Sequence, residues 1–384
     1  MNNYKEHPVP LWEIALPFLK LGFTAFGGPA AAIAMMRQEF VLRRKWLDED
    51  DFFDLLGMTN LIPGPNATEL AIHIGYRQGG YPGLVLAGVC YILPAMVIVL
   101  GFAWAYLRWG MLPALDGMLY GIKPVVIAIL LAALYGMLKP RIKRVDGLLV
   151  AAGAFIAYLL GASPLILLLS GGVVLLARDY FRGNSLLLVS VVGIGLPGLL
   201  VQANPPEGFS LLRLFWVFFK AGALMYGSGY VLLAFIQEDL VDRLGWLTQG
   251  QLLDAVAVGQ VTPGPLSTTA TFVGYLTGGL PGALLATLAM FLPGFIFVAL
   301  THPMLDKLRT SEQTAGFLDG VNFAALGMMA AVTWEIGAEA LVDPLAAGIG
   351  LIALILLLGF NLGAPWLILG GGLLGLTRAF FGGG

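Results

Sequence analysis

Residues 60–75 read NLIPGPNATELAIHIG, an interruption in an otherwise apolar neighbourhood. Pro63-Gly64-Pro65 breaks the backbone, and Asn66, Thr68, Glu69 and His73 follow it. The surroundings are those of a membrane protein. The 384-residue chain is 58% hydrophobic and 11% charged, with a mean hydropathy of +0.86, whereas a soluble domain carries about a quarter charged residues. Stretches 83–109, 117–138 and 281–301 reach or exceed the roughly 20 apolar residues that cross a bilayer. The fold class to expect is an all-α polytopic membrane protein.

Other classes find little support. The N-terminus, MNNYKEHPVPLWEIALPF, lacks a basic region followed by a small-residue cleavage site, so no cleaved signal peptide is expected. Cys90 is the sole cysteine, which rules out an intrachain disulfide and gives no metal-site spacing. No basic tail suggests nucleic acid. Walker, H-E-x-x-H and G-x-S-x-G motifs are missing, and the three histidines, His7, His73 and His302, are far apart in sequence. Neither an enzyme nor a bound cofactor or metal is expected.

The chain is written twice. Shifted by about 200 residues, FLKLGFTAFGG from Phe18 meets FFKAGALMYGS from Phe218, so that Lys20 faces Lys220, Gly22 faces Gly222 and Gly27 faces Gly227. Trp46-Leu47 meets Trp246-Leu247, Asp54 meets Asp254, and Pro63-Gly64-Pro65 falls on Pro263-Gly264-Pro265. After a one-residue gap IGYRQGGYPG meets VGYLTGGLPG. The expected organisation is an N-terminal repeat over 1–184, a linker over 185–209 that is itself a candidate membrane segment, and a C-terminal repeat over 210–384. In each repeat two short segments flank the Pro-Gly-Pro. Such backbone at membrane depth is tolerated only where it lines protein or a cavity, so a re-entrant or discontinuous helix is expected there.

Loop charge bears on orientation. RQEFVLRRKWLDED (37–50) and KPRIKRVDG (139–147) are basic, while their counterparts QEDLVDRLGWLTQG (237–250) and EIGAEALVDP (335–344) are acidic or neutral. Basic loops stay cytoplasmic, so equivalent loops are expected on opposite sides, the inverted repeat common in secondary transporters.

The polar residues suggest an anion. Pro65 suits the first position of a helix, and the free N–H groups of that first turn, with the helix dipole, make an anion site. Asn66, Ala67 and Thr68 are therefore candidate substrate-binding residues, as are Ser267, Thr268 and Thr269 in the second copy, VTPGPLSTTATFVG. Lys20 and Lys220 would add positive charge if buried, or snorkel to headgroups. Asn60 and Gln260, three residues before each break, would bond either the substrate or the broken backbone. Glu69 and His73, four apart on one helical face, are the candidates for proton coupling; the alternative is a satisfied structural pair.

The runs FGGPAA (26–31), EFVLRRKWLDEDDF (39–52) and NLIPGPNATELAIHIGYRQGGYPG (60–83), with second copies over 226–241 and 246–282, resemble the chromate ion transporter family in its long, two-domain form. The resemblance covers nearly the whole chain. Its motifs fall on Gly27, Gly28 and Pro29, on Pro63, Gly64 and Pro65, on Gly227 and Gly229, and on Pro263, Gly264 and Pro265. This chain departs from the family pattern with Ala32 where His often follows the Gly-Gly-Pro run, and with Asn60 where Gln is common. The resemblance implies secondary transport of a tetrahedral oxyanion: efflux of chromate from the bacterial cytoplasm across the inner membrane, coupled to protons. Sulfate or a relative is the alternative substrate, and an anion channel or a membrane scaffold the alternative class. Lipid is an expected partner and a second copy of the chain a candidate one.

Overall fold

The computed structural model describes residues 10–26, 28–59, 62–109, 113–180, 208–225, 231–301, 312–360 and 362–381. Gly27, Asn60, Gly227, Gly229 and 185–207 of the expected linker lie outside them. Among the described residues each half contributes seven helices in the same order. The first half has α1 (Leu11–Thr24), α2 (Gly28–Arg37), α3 (Glu49–Thr59), α4 (Asn66–Trp109), α5 (Pro113–Leu138), α6 (Val145–Leu159) and α7 (Pro164–Tyr180). The second has α8 (Leu211–Leu224), α9 (Leu232–Ile236), α10 (Gln249–Val261), α11 (Thr269–Thr301), α12 (Glu312–Ala340), α13 (Pro344–Phe360) and α14 (Ala364–Phe381). Helices α2 and α9 each run on into a π-helical turn, Gln38–Arg43 and Gln237–Arg243. By length and composition α4, α5, α11 and α12 suffice to cross a membrane.

Helix α4 is in fact a hairpin. At Gly79 and Gly80 the backbone leaves the helix, with φ of −144° and +60°, and α11 does the same at Gly278 and Gly279. The left-handed second residue of each turn favours glycine. The arms then press together so closely that a Cβ on Gly75 or Gly83 would overlap the other's carbonyl, as would one on Gly274 or Gly282. Each hairpin therefore has a short arm that starts just after the Pro-Gly-Pro and a long arm that follows the turn. The short elements do not span alone: α1 and α3, of 14 and 11 residues, reach only about 21 and 16 Å at 1.5 Å per residue.

Between α3 and α4, and between α10 and α11, backbone hydrogen bonds cross from one half to the other. Gly64 N–H donates to the carbonyl of Met225, the residue that ends α8, at 2.6 Å. Gly264 N–H donates to the carbonyl of Ala25, which ends α1, at 3.0 Å. Around this centre α1 packs on α4 and α8 on α11, and α4 and α11 pack on each other.

The outer helices are exchanged as well. Helix α5 of the first half packs against α13 and α14 of the second, while α12 of the second packs against α6 and α7 of the first. Small residues make these contacts close, as is common between helices in membranes. Gly117 and Gly121 on α5 meet Gly375 and Gly371 on α14, and Gly171 on α7 meets Gly320 and Ala324 on α12.

Charge gathers at the π-helical turns. Glu39 takes hydrogen bonds from Arg43 at 2.9 Å and Arg44 at 2.6 Å, and Arg37 donates to Glu49. Partial burial pushes the Glu39 carboxyl up, but the two arginines outweigh it and hold it below the usual carboxylate range. In the second half Asp239 stands at the equivalent place, fully buried, paired with Lys220 and Arg243.

The glycine contacts give a direct test. Gly121→Ala would drive a methyl into the Gly371 carbonyl and is expected to cost about 1–3 kcal/mol. Gly101→Ala, on an outward-facing turn with nothing within 4 Å, should be neutral or stabilising. Thermal unfolding of the purified protein in detergent separates the two; equal midpoints would rule out the α5–α14 contact.

Candidate functional site

The two Pro-Gly-Pro breaks meet at one cleft. It is lined from the first half by Gly28, Pro29 and Ala32 of α2, by Pro65, Asn66, Ala67 and Thr68 at the start of α4, and by Tyr91. The second half adds Gly264, Pro265, Leu266 and Ser267. Both helix starts thus face the same space, and the first N–H groups of a helix have no partner within it. The cleft is tight, with room between its walls for about one water molecule.

Three of its hydroxyls are buried and unspent. Thr68 Oγ1, Ser267 Oγ and the Tyr91 hydroxyl have no hydrogen-bond partner among the described residues, and none of the three residues is more than 1% exposed. Buried hydroxyls normally find partners. Thr68 at the start of α4, Ser267 in the turn before α11 and Tyr91 on the long arm of α4 can together donate to an anion with no full positive charge present. Elsewhere the hydroxyls are committed: Thr268 donates to Pro265 O and Thr269 to Leu266 O, both at 2.8 Å, and Thr271 and Thr287 bond each other at 2.7 Å.

Glu69 is fully buried directly behind the first break. A Cβ on Gly64 would overlap its carboxyl, one on Gly294 of α11 would lie 3.7 Å away, and neither carboxyl oxygen has a hydrogen-bond partner among the described residues. At the matching place in the other half the Ala95 methyl would stand 2.9 Å from a Cβ on Gly264, so the space that holds a carboxyl on one side holds a methyl on the other. His73 is also fully buried, one turn further along α4.

The remaining candidates lie apart from the cleft. Lys20 is exposed on α1, and Lys220 is taken up by Asp239. Gln260, in the last turn of α10, is half-buried and is not among the described lining residues. Pro63 and Pro263 flank the crossed glycines without lining the cleft. Tyr91 and Leu266 line it without having been singled out from sequence, and Ala32, noted above as a departure from the family pattern, lines it too. Tyr91 is the informative omission, a phenol set in the apolar long arm of α4.

These features define a multi-pass helical membrane protein of two like halves around a shared cleft that holds a few buried hydroxyls, the class to which transporters belong. The profile of the chromate transporter family matches residues 12–176 and again 212–376, and the chain belongs to that family. It is 33% identical to a chromate transport protein of Cupriavidus metallidurans, over 97% of this chain and 94% of that one. A probable chromate transport protein of Synechococcus elongatus is 34% identical over 91% and 90%, and a chromate transport protein of Pseudomonas aeruginosa 32% over 86% and 82%. No solved structure matches.

If the cleft hydroxyls serve a ligand and not the fold, removing them should not destabilise the protein. Thr68→Val with Ser267→Ala is expected to leave the unfolding midpoint unchanged or higher, since deleting an unpartnered buried polar group relieves its desolvation cost. Thr287→Val, which breaks a made bond, should lose about 1 kcal/mol. A double variant less stable than Thr287→Val would count against a ligand role.

Proposed function

We propose that the protein is a secondary transporter of a tetrahedral oxyanion, chromate foremost, and that it exports the anion across the bacterial inner membrane. The observation that carries this is the convergence of Pro65–Thr68 and Pro265–Ser267 on one cleft with three unpartnered hydroxyls. Oxygen atoms spread tetrahedrally can accept from both helix starts at once. The relatives' names supply chromate as the first substrate to test.

Direction follows from charge. Moving a unit charge through 100 mV is worth about 2.3 kcal/mol, so a dianion leaving a negative-inside cell gains about twice that. A tetrahedral oxyanion is larger than the water-sized space in the cleft, so loading requires the two helix starts to separate. The opposed loop charges support halves of inverted orientation, in which such a separation would open the cleft first to one side and then to the other.

Glu69, with His73, is the proposed proton-coupling group. An enclosed carboxyl without partners costs far less to bury protonated than ionised, so anion loading at the adjacent helix start and proton release from Glu69 would be linked. Thr269 stands near the equivalent place in the other half, which makes the coupling one-sided.

Chromate flux into proteoliposomes tests this, with and without a pH gradient and with sulfate as competitor. Wild type should show saturable flux. Thr68→Val with Ser267→Ala should raise the half-saturating concentration about tenfold or more, since a hydrogen bond to a charged group is worth about 1.5–3 kcal/mol. Glu69→Gln should carry chromate without responding to the gradient. Wild-type protein that moves neither anion would end the oxyanion reading.

A further inference from the structure

A second cavity lies away from the cleft, where α4 and α5 of the first half meet α10 and α12 of the second. Its volume is about 370 Å³, and it is lined by Tyr106, Asp116, Lys123, Gln251, Asp254 and Glu339 among others. That is ample room for water. Three carboxylates share it with one ammonium.

Asp254 forms its inner wall and is only 3% exposed. Its Oδ2 accepts from the Tyr106 hydroxyl at 2.9 Å, and its Oδ1 accepts no hydrogen bond, with Lys123 Nζ standing 3.4 Å away. Glu339, exposed on α12, adds negative charge nearby, while the ion pair of Lys123 is with Asp254. A Cβ on Gly250 would lie 3.3 Å from Glu339 Oε1 and 3.6 Å from Lys123 Nζ, so both groups crowd one turn of α10. Asp254, with almost no solvent, has one ammonium at 3.4 Å and further carboxylates in the same cavity, which leaves it short of positive charge. Among the described residues no set of side chains suited to a metal ion is present. A proton therefore meets the deficit best.

The arrangement exists once. The register that pairs Leu115-Asp116-Gly117 with Leu318-Asp319-Gly320 sets Leu326 opposite Lys123. Helix α10 also leads straight into the second break, ending at Val261 just before Thr262-Pro263-Gly264. A change of charge on Asp254 therefore acts on the helix that leads, through Thr262 and Pro263, into the Gly264–Ser267 wall of the cleft.

We propose that this cavity is a proton-loading site, in which Asp254 takes a proton from cavity water at Oδ1 while Lys123 stays charged in the cavity. The step balances: an O–H bond of hydronium breaks, one forms on the carboxylate, and neutral water remains. Loading loosens the Lys123–Asp254 link between the halves and frees α10 to move. The inference rests on the transport reading above and gives that transporter a proton site on the second half, distinct from Glu69. The groups facing Asp254 are Lys123 and Asp116 from α5, Tyr106 from α4 and Glu339 from α12.

The test uses the full-length protein and two readouts. The infrared band of protonated carboxyl groups is followed through a pH titration of purified protein, and chromate flux is measured in proteoliposomes at equal pH and under a pH gradient. Asp254→Asn should remove one titrating band component and the acceleration by the gradient while keeping flux at equal pH. Lys123→Gln should move that component to higher pH, because the ammonium that favours the carboxylate is gone; it also serves if Asp254→Asn does not fold. An unchanged band in both variants, or acceleration that follows a sodium gradient instead of a pH gradient, would overturn the proposal. If wild type carries no oxyanion the transport reading fails, and the infrared titration still decides whether Asp254 loads a proton.

Discussion

Two crossed hydrogen bonds hold the centre of this protein together. A helix interrupted within a membrane leaves carbonyls and N–H groups that neither lipid nor its own backbone can satisfy. Here the N–H of Gly64 finds the carbonyl that ends α8, and the N–H of Gly264 finds the carbonyl that ends α1. Neither half can complete its own break. The positive φ of Gly64 and Gly264, +144° and +94°, aims each N–H across the boundary, and a side chain there would be strained. The mutual dependence at the centre is repeated outside it, where the closing helices of each half rest on the fifth helix of the other.

Polar groups are treated in two ways. Many buried hydroxyls are satisfied: Thr333 and Thr262 bond their own helices, and Thr271 has Thr287. At the cleft Thr68, Ser267 and Tyr91 are buried with no such bond among the described residues, as is the Glu69 carboxyl behind it. Leaving such groups unmade costs on the order of 1–3 kcal/mol each, and sites that trade stability for binding tend to carry that cost. The contrast between hydroxyls one residue apart, Ser267 unspent and Thr268 bonded back to Pro265, marks how local the choice is.

Much of this was legible in the sequence, and for identifiable reasons. Glycine, proline, tryptophan and charge recur at matched positions only if backbone geometry recurs, so the doubling could be read directly and led to the family. The short helices beside the prolines followed from proline's missing donor and fixed φ. The exchange of outer helices could not be read, because Gly117, Gly121, Gly371 and Gly375 look like ordinary small residues until their partners are known. For the same reason Lys220 looked available for an anion, since its claim by Asp239 depends on a π-helical turn that sequence periodicity does not reveal. Tyr91 was passed over because a single polar residue in an apolar run has no pattern around it, and Asp254 was read only as a mark of the doubling because Lys123 and Tyr106, its partners, are far away in sequence.

The exchanged outer helices also set a schedule for synthesis. Helix α5 is complete by Leu138, yet the glycine face it presents is covered by α14, which ends at Phe381 about 240 residues later. At about 5–20 residues per second the ribosome needs on the order of ten to fifty seconds to deliver that partner. For that interval the first half sits in the bilayer with its closest-packing surface open to lipid and to other nascent chains. The packing of α5 is thus completed only once α14 has been made, long after α5 itself has entered the membrane.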